Sequence, residues 1–340
     1  MKFLVFLLAA QLSFSIPQGA NCPSAFLWQG RSVDAVSLPT RVKRRVPIVF
    51  PLDPSLHAGG RETLTDFFVS TLDAPITPEA VIWAYSNGWK LYHHFDVEGT
   101  HPEWQLPAFR GIHNLAKTRE IAPRSSIFSE TKKLFFNKAE PLYDIRINFE
   151  PERVINFIAN AEHSAQNTKS KEFLTDGDGK QFRWRKTWLS PAIQAAFLEL
   201  ILRGQGYTVA IYTNPRHPYH DPTVAGGKLV GACFGIQAGG GFTSVSTGMD
   251  RTPIAPGVNK LRYDGAGKIT DFAELDFLES QGVTWTDSVT VNPLPRAFGA
   301  YFITREEHHQ LLVKAHQNPV QLSAPKGPYT IRFDYWLKPK

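Results

Sequence analysis

The chain has 340 residues, 42% hydrophobic and 20% charged, a profile that suits one large core or two modest ones and excludes bulk disorder. Its net charge is +6, but residues 1–52 set Lys2, Arg31, Arg41, Lys43, Arg44 and Arg45 against the single acid Asp34, which leaves the body near neutrality. The basicity therefore gives no general argument for RNA binding, and Cys22 and Cys233 alone exclude a disulfide framework or a zinc pattern.

Lys2 precedes an apolar run from Phe3 to Phe14, too short to span a bilayer and suited to a signal-peptide core. Small residues at Ser13, Ser15, Ala20 and Ala25 offer cleavage sites. The acid-poor stretch behind it, with Ser24-Ala25-Phe26, looks like the bipartite signal-plus-transit leader of algae with complex plastids. A plain secretory signal or an N-terminal anchor is the alternative. The expected layout is a leader over 1–25, a basic transit-like or linker segment over 26–60 and a small α/β domain over 61–140. A larger α+β domain over 141–315 and a C-terminal tail over 316–340 complete it. The leader implies entry into the secretory pathway, with delivery to a plastid, secretion or a cytoplasmic location as the options.

Thr77-Pro78-Glu79 announces the first helix: Thr77 can cap, Pro78 suits the first turn and Gly88 ends it, with Val81, Ile82 and Tyr85 on the apolar face. Tyr92 to Asn137 reads as short strands and loops. Arg146 to Phe149 reads as a strand, Glu152 to Ala161 as a short helix, and 163–187 as an exposed loop. Within that loop Thr175 to Lys180 has aspartates spaced like the start of a calcium loop, but the later ligands and closing Glu are missing, so a hairpin turn is expected. Ser190-Pro191 opens a strong helix with Ile193, Ala196, Phe197, Leu200 and Ile201 on one face, stopped by Gly204. Antiparallel strands follow at Tyr207–Tyr212 and Lys228–Gln237, then Phe242–Thr247 after a glycine turn, a helix over Ile269–Ser280 and a strand over Val283–Thr290. That order is α+β.

Thr187-Trp188-Leu189-Ser190-Pro191 ahead of an amphipathic helix, Val230 to Gly235 on a strand, and Lys268, Gly282, Asp287, Gly299-Ala300, Ile303 and Arg305 in ungapped order resemble the leucyl/phenylalanyl-tRNA–protein transferases. Upstream, Pro78-Glu79 with Ala84-Tyr85 and Gly88 match that family's N-domain helix, so the resemblance covers roughly residues 76–312. It implies a GNAT-like (acyl-CoA N-acyltransferase-like) C-terminal domain with a smaller mixed α/β N-terminal domain. It implies transfer of Leu, Phe or a similar residue from aminoacyl-tRNA to the N-terminus of an acceptor protein in the N-degron pathway of protein degradation. No cofactor, no metal and no membrane contact beyond the leader are implied. The alternatives are an inactive descendant that binds protein N-termini or RNA, and a GNAT-type acyltransferase with another donor.

The reaction is aminolysis of an ester: a neutral amine attacks the carbonyl and the tRNA 3′-oxygen leaves, which calls for a proton acceptor and for oxyanion donors. The resemblance assigns Asp287 to the amine, with Ser288 as a replacement hydrogen-bonding group. Trp188 becomes the stacking platform for the terminal adenine, Phe234 and Phe242 the amino-acid pocket, and Ser246 a further polar contact. Lys180, Arg183, Arg185 and Lys186, interleaved with Phe182 and Trp184, form a basic and aromatic loop suited to tRNA. The pattern departs from the family where its glutamate becomes Val245 and its glutamine Val289. His217 to Asp221 is expected to be a loop rather than a metal site, and His308-His309 a surface pair. Gln237 to Gly241 reads as a strand-to-strand turn, which removes the helix N-terminus a phosphate would use.

Overall fold

The computed structural model describes residues 42–44, 67–68, 70–72, 74–95, 100–107, 109–169, 174–175, 181–182, 187–258, 260–289, 291, 293–323 and 326–339. The leader, Cys22, and the basic residues Lys180, Arg183, Arg185 and Lys186 lie outside them. Helix α1 (Pro78–Ser86) forms where the sequence announces it, with the Thr77 hydroxyl accepting from the Ala80 amide at 3.2 Å. Gly88 takes φ +79 to leave it. A hairpin of β1 (Lys90–Phe95) and β2 (Thr100–Pro107) follows, then β3 (Phe109–Asn114).

The next stretch differs from the expected strands and loops. Helices α2 (Leu115–Ile121) and α3 (Ser126–Phe135) fill it. Asn114 caps α2 by accepting from the Lys117 amide, and Ile127, Phe128, Thr131 and Phe135 give α3 a buried stripe at helical spacing. Strand β4 (Tyr143–Ile147) precedes α4 (Pro151–Lys169), which runs past Ala161, so 163–169 are helical rather than loop. Leu174–Thr175 then pairs antiparallel with Gln181–Phe182, the pairing expected of a hairpin around the Asp-Gly-Asp segment.

The next elements follow the sequence reading closely: α5 (Pro191–Leu202), β5 (Gly206–Thr213), β6 (Leu229–Ala238), β7 (Gly241–Met249), α6 (Ala266–Ser280) and β8 (Trp285–Val289). After them come α7 (Pro293–Ala297), β9 (Tyr301–Thr304), α8 (Arg305–Gln317), β10 (Gly327–Tyr329) and α9 (Phe333–Leu337). Eight strands form one sheet in the order β9-β3-β8-β7-β6-β5-β4-β10. Every neighbouring pair is antiparallel except β7 and β8. The class is α+β, built on a large and mostly antiparallel sheet, to which residues on both sides of position 140 contribute strands.

Alternation along the central strands builds two cores. On one face Ala210, Tyr212, Ala232, Phe234 and Ile236 pack under α1, α4 and α5. On the other, Tyr207, Val209, Ile211, Val230 and Cys233 pack under α6, with α3 and α9 behind it. Each fully buried Phe or Leu in these layers contributes about 1.5–3 kcal/mol through area removed from water. The region read as a tail closes the second core. Trp336 is fully buried, and its indole Nε1 donates to Asp276 at 2.7 Å. Asp276 also accepts from the Arg332 amide at 2.9 Å and the Tyr329 hydroxyl at 2.8 Å, so one carboxylate on α6 anchors the whole segment.

Candidate functional site

Among the described residues the sheet has one parallel strand pair, β7 with β8. Thr243 on β7 registers with Asp287 on β8, the single register pair between these strands. Beside it the β6–β7 ladder is bulged: Phe234 pairs with Ser246 and Gly235 with Ser244, which leaves Val245 as the extra residue. A bulge bends its strand and re-aims the side chains around it. Ser244, Ser246 and Ser288 are half-buried here and Thr247 is exposed, so hydroxyl groups line this part of the sheet.

Asp287 sits deeper than a solvated strand end. It is fully buried, paired with the Arg110 guanidinium from β3, and accepts from His308 Nε2 at 3.2 Å. Arg110, as buried as its partner, also donates to the Gly88 carbonyl at 2.8 Å. Burial raises the Asp287 pKa, but Arg110 and His308 outweigh that and hold the carboxyl well below its usual range. Burial lowers the His308 pKa, against the opposing pull of the Asp287 hydrogen bond. Lys90, buried nearby, is pushed well down by desolvation and by Arg110. His308 is thus a core residue of α8, a correction to the surface reading, and the Asp287 carboxylate of β8 is the group that holds it there.

The aromatic residues singled out by sequence separate into two groups. Trp188 is 8% exposed and meets Phe197 edge-on, with centroids 6.4 Å apart, while Phe234 packs on the same Phe197 at 5.1 Å. Phe242 is equally buried but belongs to the core under α6. Cross-strand partners share a face. Ser246 therefore goes with Phe234, and Phe242 with Gln237, whose side chain is held by Leu322 and Val320. Phe234 and Phe242 lie on opposite faces of the sheet and do not line one pocket.

Sequence reasoning passed over two acids on α6. Glu274, 5% exposed, accepts from the Tyr207 hydroxyl at 2.8 Å and the Ser244 hydroxyl at 3.0 Å. Burial pushes its pKa up to about 7, and the same cause, with Glu274 beside it, lifts Asp271 to about 8. The available signal was the placement of Asp271 and Glu274 among Ile269, Phe272, Ala273 and Phe277 on a helix that is buried on almost every side. His217 uses both ring nitrogens internally, toward the Tyr143 hydroxyl at 3.0 Å and the Tyr219 amide at 3.1 Å. No group of three metal-ligating side chains occurs among the described residues.

No family model matches the chain. It is 23% identical over 243 residues to a leucyl/phenylalanyl-tRNA–protein transferase of Colwellia psychrerythraea, a match covering 70% of this chain and 80% of that protein. The mixed sheet is compatible with an acyltransferase-like fold. This similarity supports the chain as a divergent member of the leucyl/phenylalanyl-tRNA–protein transferase family.

Proposed function

We propose that the protein is an aminoacyltransferase that moves Leu, Phe or a similar residue from aminoacyl-tRNA to the N-terminus of an acceptor protein, marking it for degradation, on a GNAT-like scaffold. The observation that carries this reading is the parallel β7–α6–β8 unit, set in an otherwise antiparallel sheet; the reading places the ester at an opening beside Ser246 and Ser288. An ester held at that opening would meet hydroxyl donors for the oxyanion that forms on attack. Asp287 acts in this reading by fixing β8, because Arg110 and His308 already occupy its carboxylate. Trp188 and Phe234 back the opening from the α5 side, and the loop of Lys180, Arg183, Arg185 and Lys186 supplies phosphate contacts. Delivery by the N-terminal leader belongs to the same proposal. The test is transfer of labelled Leu or Phe from its tRNA to a peptide beginning with Arg or Lys; no transfer at any pH would overturn it.

One observation favours a second reading. Val245 occupies the bulge where the resemblance calls for a glutamate, and a valine neither holds an amine nor relays a proton. A non-catalytic descendant that binds protein N-termini or RNA on this scaffold would bind such peptides or RNA without turnover.

A further inference from the structure

Residues 214–228 join β5 to β6 without helix or strand, and connections of that length inside a compact fold are uncommon and usually carry binding function. Pro215, Pro218 and Pro222 restrict the backbone, and side chains fix what remains. The Tyr219 amide donates to His217 Nδ1 at 3.1 Å, and the Tyr219 carbonyl accepts from the Tyr263 hydroxyl at 3.4 Å. His217 is held in turn by the Tyr143 hydroxyl at 3.0 Å, and His220 by the Thr213 hydroxyl at 3.3 Å. His217, Tyr143 and Tyr263 are buried, yet the Tyr219 ring they support is 41% exposed. It meets His217 at 49° and Tyr263 at 81°, so among the described residues no ring or guanidinium lies flat on it. A solitary exposed ring is ordinary. One whose backbone N–H and C=O are both fixed by buried aromatic side chains is a presented surface.

The charges around this ring favour an anionic partner. Arg216, Lys228, Arg251, Lys260 and Arg262 stand on this connection and on residues 250–265, against Asp221, Asp250 and Asp264. Two of those acids are committed: Asp250 to Lys228 at 2.7 Å, and Asp221 to the Thr223 amide and hydroxyl at 2.9 and 2.6 Å. Arg216 is shared with Glu140 at 3.3 Å, whereas Arg251 and Arg262 are exposed and no carboxylate among the described residues pairs with either. Both segments meet at the end of the sheet where β7 finishes, with Met249 opposite Gly231 of β6. Asp250 follows Ser246 by four residues, about 13 Å of extended chain, so RNA whose ester lies beside Ser246 has its preceding nucleotides within reach of the loop. We propose that this loop is a contact surface for the single-stranded part of the donor RNA, with an unpaired nucleobase stacked on Tyr219 and neighbouring phosphates held by Arg251 and Arg262; the identity of the RNA rests on the aminoacyl-transfer reading. Every nucleobase offers a π face, which a tyrosine ring accepts without reading the base edges. The arginines supply the salt-dependent share of the affinity. Because the ring is fixed before RNA arrives, little ordering entropy is lost on binding.

The experiment measures binding of unacylated tRNA, and of its acceptor stem made as a blunt duplex, to the full chain by fluorescence anisotropy across a salt series. It compares the wild type, Tyr219→Phe, Tyr219→Ala and Arg262→Ala, with a circular-dichroism melt of each. Tyr219→Ala is expected to weaken tRNA binding by about 10-fold or more, with an unchanged melt and little effect on the blunt duplex. Tyr219→Phe keeps the affinity, because the ring remains. Arg262→Ala is expected to reduce the slope of log Kd against log salt by about 0.7. A folded Tyr219→Ala that binds tRNA like the wild type overturns the inference and leaves the transferase reading standing, as does an equal loss on the blunt duplex. An effect on binding of an Arg-initiated peptide in place of tRNA also overturns it and makes the loop a protein-docking surface. Should Tyr219→Ala fail to fold, an unmoved salt slope in Arg262→Ala overturns it equally. A wild type that binds no tRNA overturns both.

Discussion

Replacing Asp287 by alanine tests whether this residue supports the site or takes part in its chemistry. Its side chain and that of Arg110 are each 1% exposed, so water reaches neither partner. Removing the carboxylate strands a guanidinium in the core and takes the hydrogen-bond acceptor away from His308. Breaking a buried pair by deleting one member costs about 3–5 kcal/mol, because the survivor is left uncompensated. For a protein of this size that is a fall in Tm of about 5–8 °C and a large part of a typical total stability. Urea unfolding of Asp287→Ala, Arg110→Met and the double variant measures it. The double variant should lose clearly less than the two single losses together, since no lone charge remains. An Asp287→Ala protein within about 1 kcal/mol of wild type, combining additively with Arg110→Met, would refute the reasoning.

Folded-state pKa values raised to about 8 for Asp271 and about 7 for Glu274 mean that the folded protein binds more protons than the unfolded chain above the ordinary carboxyl range. Their stabilising contribution is therefore complete at low pH and is lost as pH climbs from about 5 to about 8; Glu274→Gln should flatten that decline in urea midpoints. Gly235→Ala should displace Tyr207, whose hydroxyl a Cβ would meet, and so lower the Tm by several degrees while shifting the pH dependence set by Glu274. Trp336→Ala removes a fully buried indole stacked on Phe128 and bonded to Asp276, at a cost of about 3–5 kcal/mol in denaturant unfolding.

What the sequence discloses about this fold is mostly what local chemistry governs. Thr77-Pro78 and Ser190-Pro191 open helices, and Gly88, Gly204 and Gly282 close them at positive φ, because capping and left-handed turns depend on a few adjacent residues. Helices α2 and α3 are less legible: α2 is short, and Phe135 and Phe136 at the end of α3 suit a strand as well as a helix. The site is harder still. Phe234 and Phe242, eight positions apart in one hairpin, look like joint liners of a pocket until the register, which sets Phe242 opposite Gln237, sends them to opposite faces. The partners of Glu274 come from 67 and 30 residues away, and Arg110 reaches Asp287 from a strand far upstream. Pairings of that kind are products of the sheet order, which periodicity does not specify.

The anchoring of residues 327–337 on Asp276 also bears on how the molecule is assembled. Strand β10 lies beside β4 and is made after every other strand of the sheet. Until it arrives, β4 offers an unpaired edge to any extended chain, and the apolar ground that Phe333 and Trp336 come to cover is open. Arg119, early in the chain, waits for the carbonyls of Trp336 and Lys338 to complete its own bonding. Nascent chains stalled before β10 should therefore be a source of aggregation and a target for chaperones, and the fold is sealed by its last strand and helix.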